Sequence, residues 1–108
     1  MSEKDILAKV FDLDKLLDYQ EASVVSRTLI NKDIGTVTLF SFDKDEGLSE
    51  HTAPFDALVY VFDGEAEISI SKQKNIVKKG QMIIMPAHEP HALKALNKFK
   101  MMLIMIKA

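Results

Sequence analysis

All three histidines of this chain fall in two separate blocks, residues 47–57 with His51 and residues 80–91 with His88 and His91. Imidazole is the commonest metal ligand in proteins and the side chain whose ordinary pKa lies nearest neutrality. A chain that confines it to two blocks is expected to bring them together, as a metal site or as a proton-transfer pair. Two neutral imidazoles can accept and relay a proton when substrate is held beside them, so both chemistries stay open. Pro54, Pro86 and Pro90 lie in the same blocks. Lacking an N–H, proline belongs at loops, strand starts or sheet edges, which is where sites usually lie.

Positioning two such blocks requires a scaffold, and the pattern around them is that of strands. From residue 23 onward the apolar period is two. Segments 24–30, 35–42 and 57–62 read as strands, and Asp63-Gly64, a pair that tolerates positive φ, reads as a tight hairpin. Beyond it Ala66, Ile68 and Ile70 alternate with Glu65, Glu67 and Ser69, the pattern of a strand wet on one face. Residues 71–75 read as a polar turn, and 75–79, 82–85, 91–96 and 99–106 as further strands. Eight or nine short strands joined by polar turns indicate a closed sandwich or barrel rather than a sheet with helices. Helical spacing is confined to residues 12–19, where Leu13, Leu16 and Leu17 follow Asp12, a residue able to cap an N-terminus. The chain is thus expected to be a single domain, with an N-terminal segment 1–22 carrying a short helix and a barrel over 23–108.

Composition narrows the function classes. A chain of 108 residues that is 47% apolar can bury one core without staples. It has no cysteine, which excludes disulfides, thiolate metal sites and cysteine nucleophiles. The first residues are polar and the longest apolar run, 101–106, is too short to cross a bilayer. A soluble, cytoplasmic protein without a membrane partner is expected. The formal charge of -2 argues against nucleic acid. Five of the six methionines lie between Met82 and Met105. A thioether cluster beside histidines would suit copper(I), but methionine is a flexible filler of apolar space and these residues read as core, with Met82 or Met101 as a pocket wall.

The two blocks resemble the motifs of the cupin superfamily, in its small single-domain form (cupin type 2 conserved barrel). Gly80, Pro86 and His91 fit the second motif; in the first, His51 stands at the first histidine and Gly64 closes the motif at the hairpin. The resemblance implies an all-β jelly-roll (cupin) barrel and a metal site of three histidines and a carboxylate. Here the second histidine falls at Ala53 and the glutamate at Ala57. The ligand set is incomplete, and His51 and His91 are the two residues left to hold a divalent transition metal such as zinc, iron, nickel or manganese. His88, Asp56 and Glu50 are the available substitutes. Alternation turns Asp56 away from the interior unless the loop after Pro54 is irregular. His88 replaces a motif glycine at a turn where positive φ is required, which directs its side chain toward the barrel mouth.

Methyl groups in place of a histidine and a glutamate open volume beside His51. The expected pocket has His51 and His91 as polar anchors and Ala53, Ala57, Val59, Met82, His88 and Met101 as walls, the general design of a small-molecule site. Three functions fit: a barrel that binds a small molecule, with or without a weakly held metal; a metal-dependent enzyme of oxygenase or isomerase type, using the metal as Lewis acid; and an interaction module acting through the outer sheet. Leu58, Tyr60 and Phe62 alternate with Ala57, Val59 and Val61, so one of these sets needs cover from outside. A second subunit, giving a two-fold homodimer, is the expected cover; the alternative is the N-terminal segment with Leu13, Leu16 and Leu17.

Overall fold

In the computed structural model, which describes residues 3–108, nine strands form two facing antiparallel sheets. The strands are β1 (Val24–Lys32), β2 (Gly35–Phe42), β3 (Gly47–His51), β4 (Phe55–Asp63), β5 (Glu65–Ile70), β6 (Gln73–Lys78), β7 (Met82–Met85), β8 (His91–Lys94) and β9 (Phe99–Lys107). One sheet has the order β1-β2-β9-β4-β7 and the other β3-β8-β5-β6. The chain passes repeatedly from one sheet to the other, the closed sandwich indicated by the strand pattern and the jelly roll implied by the resemblance. No described helix is long and apolar enough to cross a membrane.

Alternation decides which residues meet between the sheets. Phe42, Ala57, Val59, Val61, Met85, Phe99 and Met101 from the larger sheet pack against Ala66, Ile68, Val77 and Leu93 from the smaller. The rings of Phe42 and Phe99 stack at 4.5 Å between centroids. Asp63-Gly64, expected to close a hairpin, instead carries the chain from β4 in one sheet to β5 in the other, with Gly64 at φ 71° and the Lys98 carbonyl pressed against it. Ser71 and Lys72 take positive φ and close the β5–β6 hairpin in two residues, tighter than the turn expected over 71–75.

The leucine-rich N-terminal stretch forms a single 3₁₀ turn, Leu13–Lys15, preceded by another at Glu3–Ile6. The Asp12 carboxylate does not cap it and instead makes an exposed ion pair with Lys15 at 3.3 Å. What the leucines do is cover a sheet: Leu16 and Leu17 are buried against Leu39 and Phe62, with Leu13, Tyr60 and Met102 packed around them. Polar groups fasten this strap. The buried Lys100 ammonium donates to the carbonyl and the carboxylate of Asp14, at 2.9 and 3.1 Å. Ser41 donates to the Asp18 carbonyl, Arg27 to that of Leu16, and the Tyr19 hydroxyl to Asp63 at 2.6 Å. Burial, reinforced by the Asp63 carboxylate, holds the Tyr19 phenol protonated far above its usual range. Tyr60 and Phe62, expected to face a second subunit, are therefore covered by the chain's own N-terminal strap, while Leu58 lies one cross-strand row beyond it.

Gly64 is the tightest point of this framework, since an added Cβ would lie 1.9 Å from the Lys98 carbonyl oxygen. Gly64→Ala combines that overlap with an unfavourable left-handed backbone and should cost about 2–4 kcal/mol. Urea denaturation measures this directly; a loss below about 1 kcal/mol would show that the turn can relax.

Candidate functional site

His51, itself exposed, is turned toward His91 at the mouth of the barrel because the pairing of β3 with β8 is irregular. Leu48 pairs with Leu93, and the next matched pair is His51 with His91, so three steps along β3 answer two along β8. The extra residue is a β-bulge, a device that re-aims side chains by breaking alternation. In an unbroken strand Glu50 would share the inner face with Leu48 and His51 would point outward. The bulge exposes Glu50 and turns His51 onto the face of Leu48 and Leu93.

His91, the first residue of β8 and 6% exposed, lies opposite both His51 and Ile70. The two Nε2 atoms are 3.0 Å apart, with the rings edge to face at 70°. Each Nδ1 lies within hydrogen-bond distance of a backbone carbonyl, His51 of Ser49 at 2.7 Å and His91 of Glu89 at 3.1 Å. A carbonyl only accepts, so both Nδ1 atoms carry hydrogen. In the neutral rings both Nε2 atoms then present lone pairs to the same point, an arrangement that calls for a cation between them, either a shared proton or a metal. Desolvation lowers the pKa of His91, His51 lowers it further, and the Glu89 carbonyl opposes the shift only in part. Protonation is therefore resisted at His91.

Around the pair lies a small cavity of about 50 Å³ lined by Leu48, Ala53, Ala57, Met85, Leu93, Met101, Leu103 and Met105. Ala57 pairs with Met85 on one side and Met105 on the other, so two thioether side chains flank the place where the resemblance puts a carboxylate. Ala53, Ala57 and Met101 thus stand around the histidines. Val59 is fully buried in the core on the same strand face and lies outside the cavity wall. Met82 requires correction as a pocket wall: it pairs with Tyr60, and that register places it on the outer face of β7, 47% exposed. His88 is exposed at φ 69°, the backbone conformation of the glycine it replaces, and its N–H donates to the Ala53 carbonyl at 2.9 Å. That bond ties the second block to the first while its side chain lies outside the cavity lining.

The substitute ligands do not converge. Asp56 is exposed and accepts the Ala87 N–H at 2.9 Å, and Glu50 is exposed on the bulge. Among the described residues no group of three His, Asp or Glu side chains is arranged to hold a metal. The 3.0 Å between the two nitrogens is shorter than the ~3.4 Å of neighbouring ligands in a tetrahedral site with bonds of about 2.1 Å and matches the ~3 Å of adjacent ligands at right angles in octahedral coordination. Leu103 and Met105 were legible from the alternation through Met101 along β9. Leu48 was not, because nothing in the first block marks residues 47–51 as a strand.

Comparison with known proteins follows this geometry. Residues 38–107 match the family described as Cupin domain. The chain is 40% identical to a conserved protein of unknown function from Streptococcus pyogenes, covering 94% of this chain and 89% of that one with a TM-score of 0.90. It is 31% identical to a cupin superfamily protein from Desulfitobacterium hafniense, over 94% and 93% of the two chains, with a TM-score of 0.88. A cupin 2 conserved barrel domain protein from Leptotrichia buccalis is 43% identical, over 90% of this chain and 47% of that one, with a TM-score of 0.87. Among curated proteins there is no match.

The depressed pKa of His91 links the site to stability. The unfolded imidazole titrates near 6.5 and the folded one below it, so as pH falls through that window the unfolded state binds more protons and the fold loses stability. Between about pH 7.5 and pH 5.5 the urea midpoint of the wild type should drop further than that of His91→Gln. Equal drops would mean that His91 is not held neutral by the fold.

Proposed function

Because the chain belongs to the cupin domain family, we propose that it binds a small oxygen-bearing molecule inside the barrel, with a divalent metal held weakly between His51 and His91. The observation that carries this reading is the convergence of two Nε2 lone pairs at 3.0 Å, each ring locked by a carbonyl on its Nδ1. Bound there, a divalent ion would act as a Lewis acid on the ligand's oxygen. The chain's own residues do the rest. Ser49 and Glu89 hold the rings in the tautomer that leaves Nε2 free. Ala53 and Ala57 leave space in place of side chains, and Met85, Met101 and Met105 supply an apolar, deformable wall.

Binding is favoured over turnover by the content of the cavity wall. Its titratable groups are the two histidines, with no carboxylate among the lining residues. Any proton moved in the site must therefore pass through the imidazole pair, which is the feature retained by the second reading, a metal-dependent oxygenase or isomerase. The cavity size also limits the ligand, since about 50 Å³ accommodates a fragment of a few heavy atoms beside the histidines.

Metal analysis of untagged protein incubated with zinc, iron, nickel or manganese should find bound metal. Affinity measured by calorimetry should weaken in His51→Ala by at least the ~100-fold that loss of a supporting hydrogen bond can cost. Deleting Glu50 should weaken it comparably by restoring regular pairing and turning His51 outward. Protein that stays metal-free under all four ions would remove the metal from this reading. Ligand binding is tested separately by thermal shift with small acids and sugars, where stabilisation should be lost in His91→Ala; a screen without any stabilising compound counts against a small-molecule role.

A further inference from the structure

We infer that Thr36 is a second anchor for the ligand of the barrel, holding an uncharged hydroxyl group of that ligand behind a wall formed by Met105. The inference rests on the reading of the barrel interior as a small-molecule site. Matched pairs run across all five strands of the larger sheet in one row, Asn31, Thr36, Met105, Ala57 and Met85. Residues matched in this way share a face of the sheet, and Met105, Ala57 and Met85 line the cavity beside the histidines. Thr36 therefore stands on the inner face as well, immediately beyond Met105. The next two rows continue the cavity wall in the same sense, with Thr38 beside Leu103 and Phe40 beside Met101.

The Thr36 hydroxyl is the observation that points to a ligand. Its oxygen is buried without a hydrogen-bond partner, and among the described residues no other buried side-chain nitrogen or oxygen is left so. A hydroxyl withdrawn from water and unpaired is unfavourable, and native proteins keep few such groups. Valine has the same branched shape and would leave nothing unpaired, so packing alone does not call for threonine here. The hydroxyl both donates and accepts and carries no charge. A carboxylate or an ammonium brought to it would be buried against one neutral partner, at a high desolvation cost. A hydroxyl group is satisfied by that single partner.

Met105 supplies the route. It lies between Thr36 and Ala57 in the row and is half-buried, and an unbranched thioether with three rotatable bonds adapts to what is placed against it. The cavity of about 50 Å³ holds only a few heavy atoms as it stands. Turning Met105 aside joins that space to the hydroxyl. Two strand spacings, about 9.5 Å, separate Thr36 from Ala57. The ligand that uses both anchors is therefore elongated, with one oxygen-bearing end at His51 and His91 and a hydroxyl at the other. An ω-hydroxy acid is the simplest member of this class, and the acid without its hydroxyl reaches the histidine end alone.

Calorimetric titration with 5-hydroxypentanoate and 6-hydroxyhexanoate, each against its parent acid and each with and without zinc, tests this. At least one hydroxy acid should bind the wild type about 10-fold more tightly than its parent, the worth of one buried hydrogen bond. Thr36→Val should abolish the preference by weakening the hydroxy acid alone. Met105→Ile, whose branched side chain is stiff at χ1, should abolish it too. In the free protein the urea midpoint of Thr36→Val should equal or exceed that of the wild type, because no hydrogen bond is lost. A lower midpoint shows that the hydroxyl already has a partner and overturns the inference whether or not any acid binds. Parent and hydroxy acids that bind alike, or a preference that survives Thr36→Val or Met105→Ile, also overturn it while leaving the small-molecule reading in place. Failure of every acid to bind counts against both.

Discussion

Successive side chains along a β-strand point to opposite faces of the sheet, and the parts of this molecule follow from where that alternation holds and where it is broken. Along β4 it sends Ala57, Val59 and Val61 into the core and Leu58, Tyr60 and Phe62 outward. Along β9 it sends Phe99, Met101, Leu103 and Met105 inward and leaves Met102 and Ile104 on the outer face. On β3 one extra residue breaks it, and the break is what delivers His51 to His91. A bulge costs a ladder position, and here the residue to which it gives a role is the one with the site's chemistry.

The two faces of the larger sheet are finished by different means. The inner face needs only apolar packing. The outer face carries a lysine, Lys100, whose 5% exposure would be unfavourable without partners. The Asp14 carbonyl and carboxylate supply them, so the strap satisfies a buried charge while its leucines cover Leu39 and Phe62. Its shortness sets the limit of the cover. The strap ends over the rows of Tyr60 and Phe62, and the aliphatic row through Leu58 and Ile104 is left bare.

At the site, the same economy leaves two nitrogens where the resemblance calls for four ligands. The alanines at 53 and 57 lose donors and gain space, and the methionines beside Ala57 make that space apolar. Two imidazoles, one exposed and one buried against an apolar wall, would hold a cation less firmly than a complete set, since fewer donors would replace the ion's water. In that proposed arrangement the open coordination and the adjoining space would both be available to a ligand.

Much of this was legible in the residues alone. Alternation and turn chemistry identified eight of the nine described strands, all but β3, Asp63-Gly64 marked a turn, though one that links two sheets rather than a hairpin, and the Gly80, Pro86 and His91 spacing pointed to the family to which the chain belongs. These are local signals, set by pleat period and backbone preference over a few residues. Three other features depend on partners distant in sequence. The inward turn of His51 depends on the register between β3 and β8, the outward turn of Met82 on its pairing with Tyr60, and the cover of Tyr60 and Phe62 on a segment more than thirty residues earlier in the chain. Register and cover are decided when strands and strap compete for the same hydrogen bonds and the same apolar surface, and that competition exists only in the folded chain.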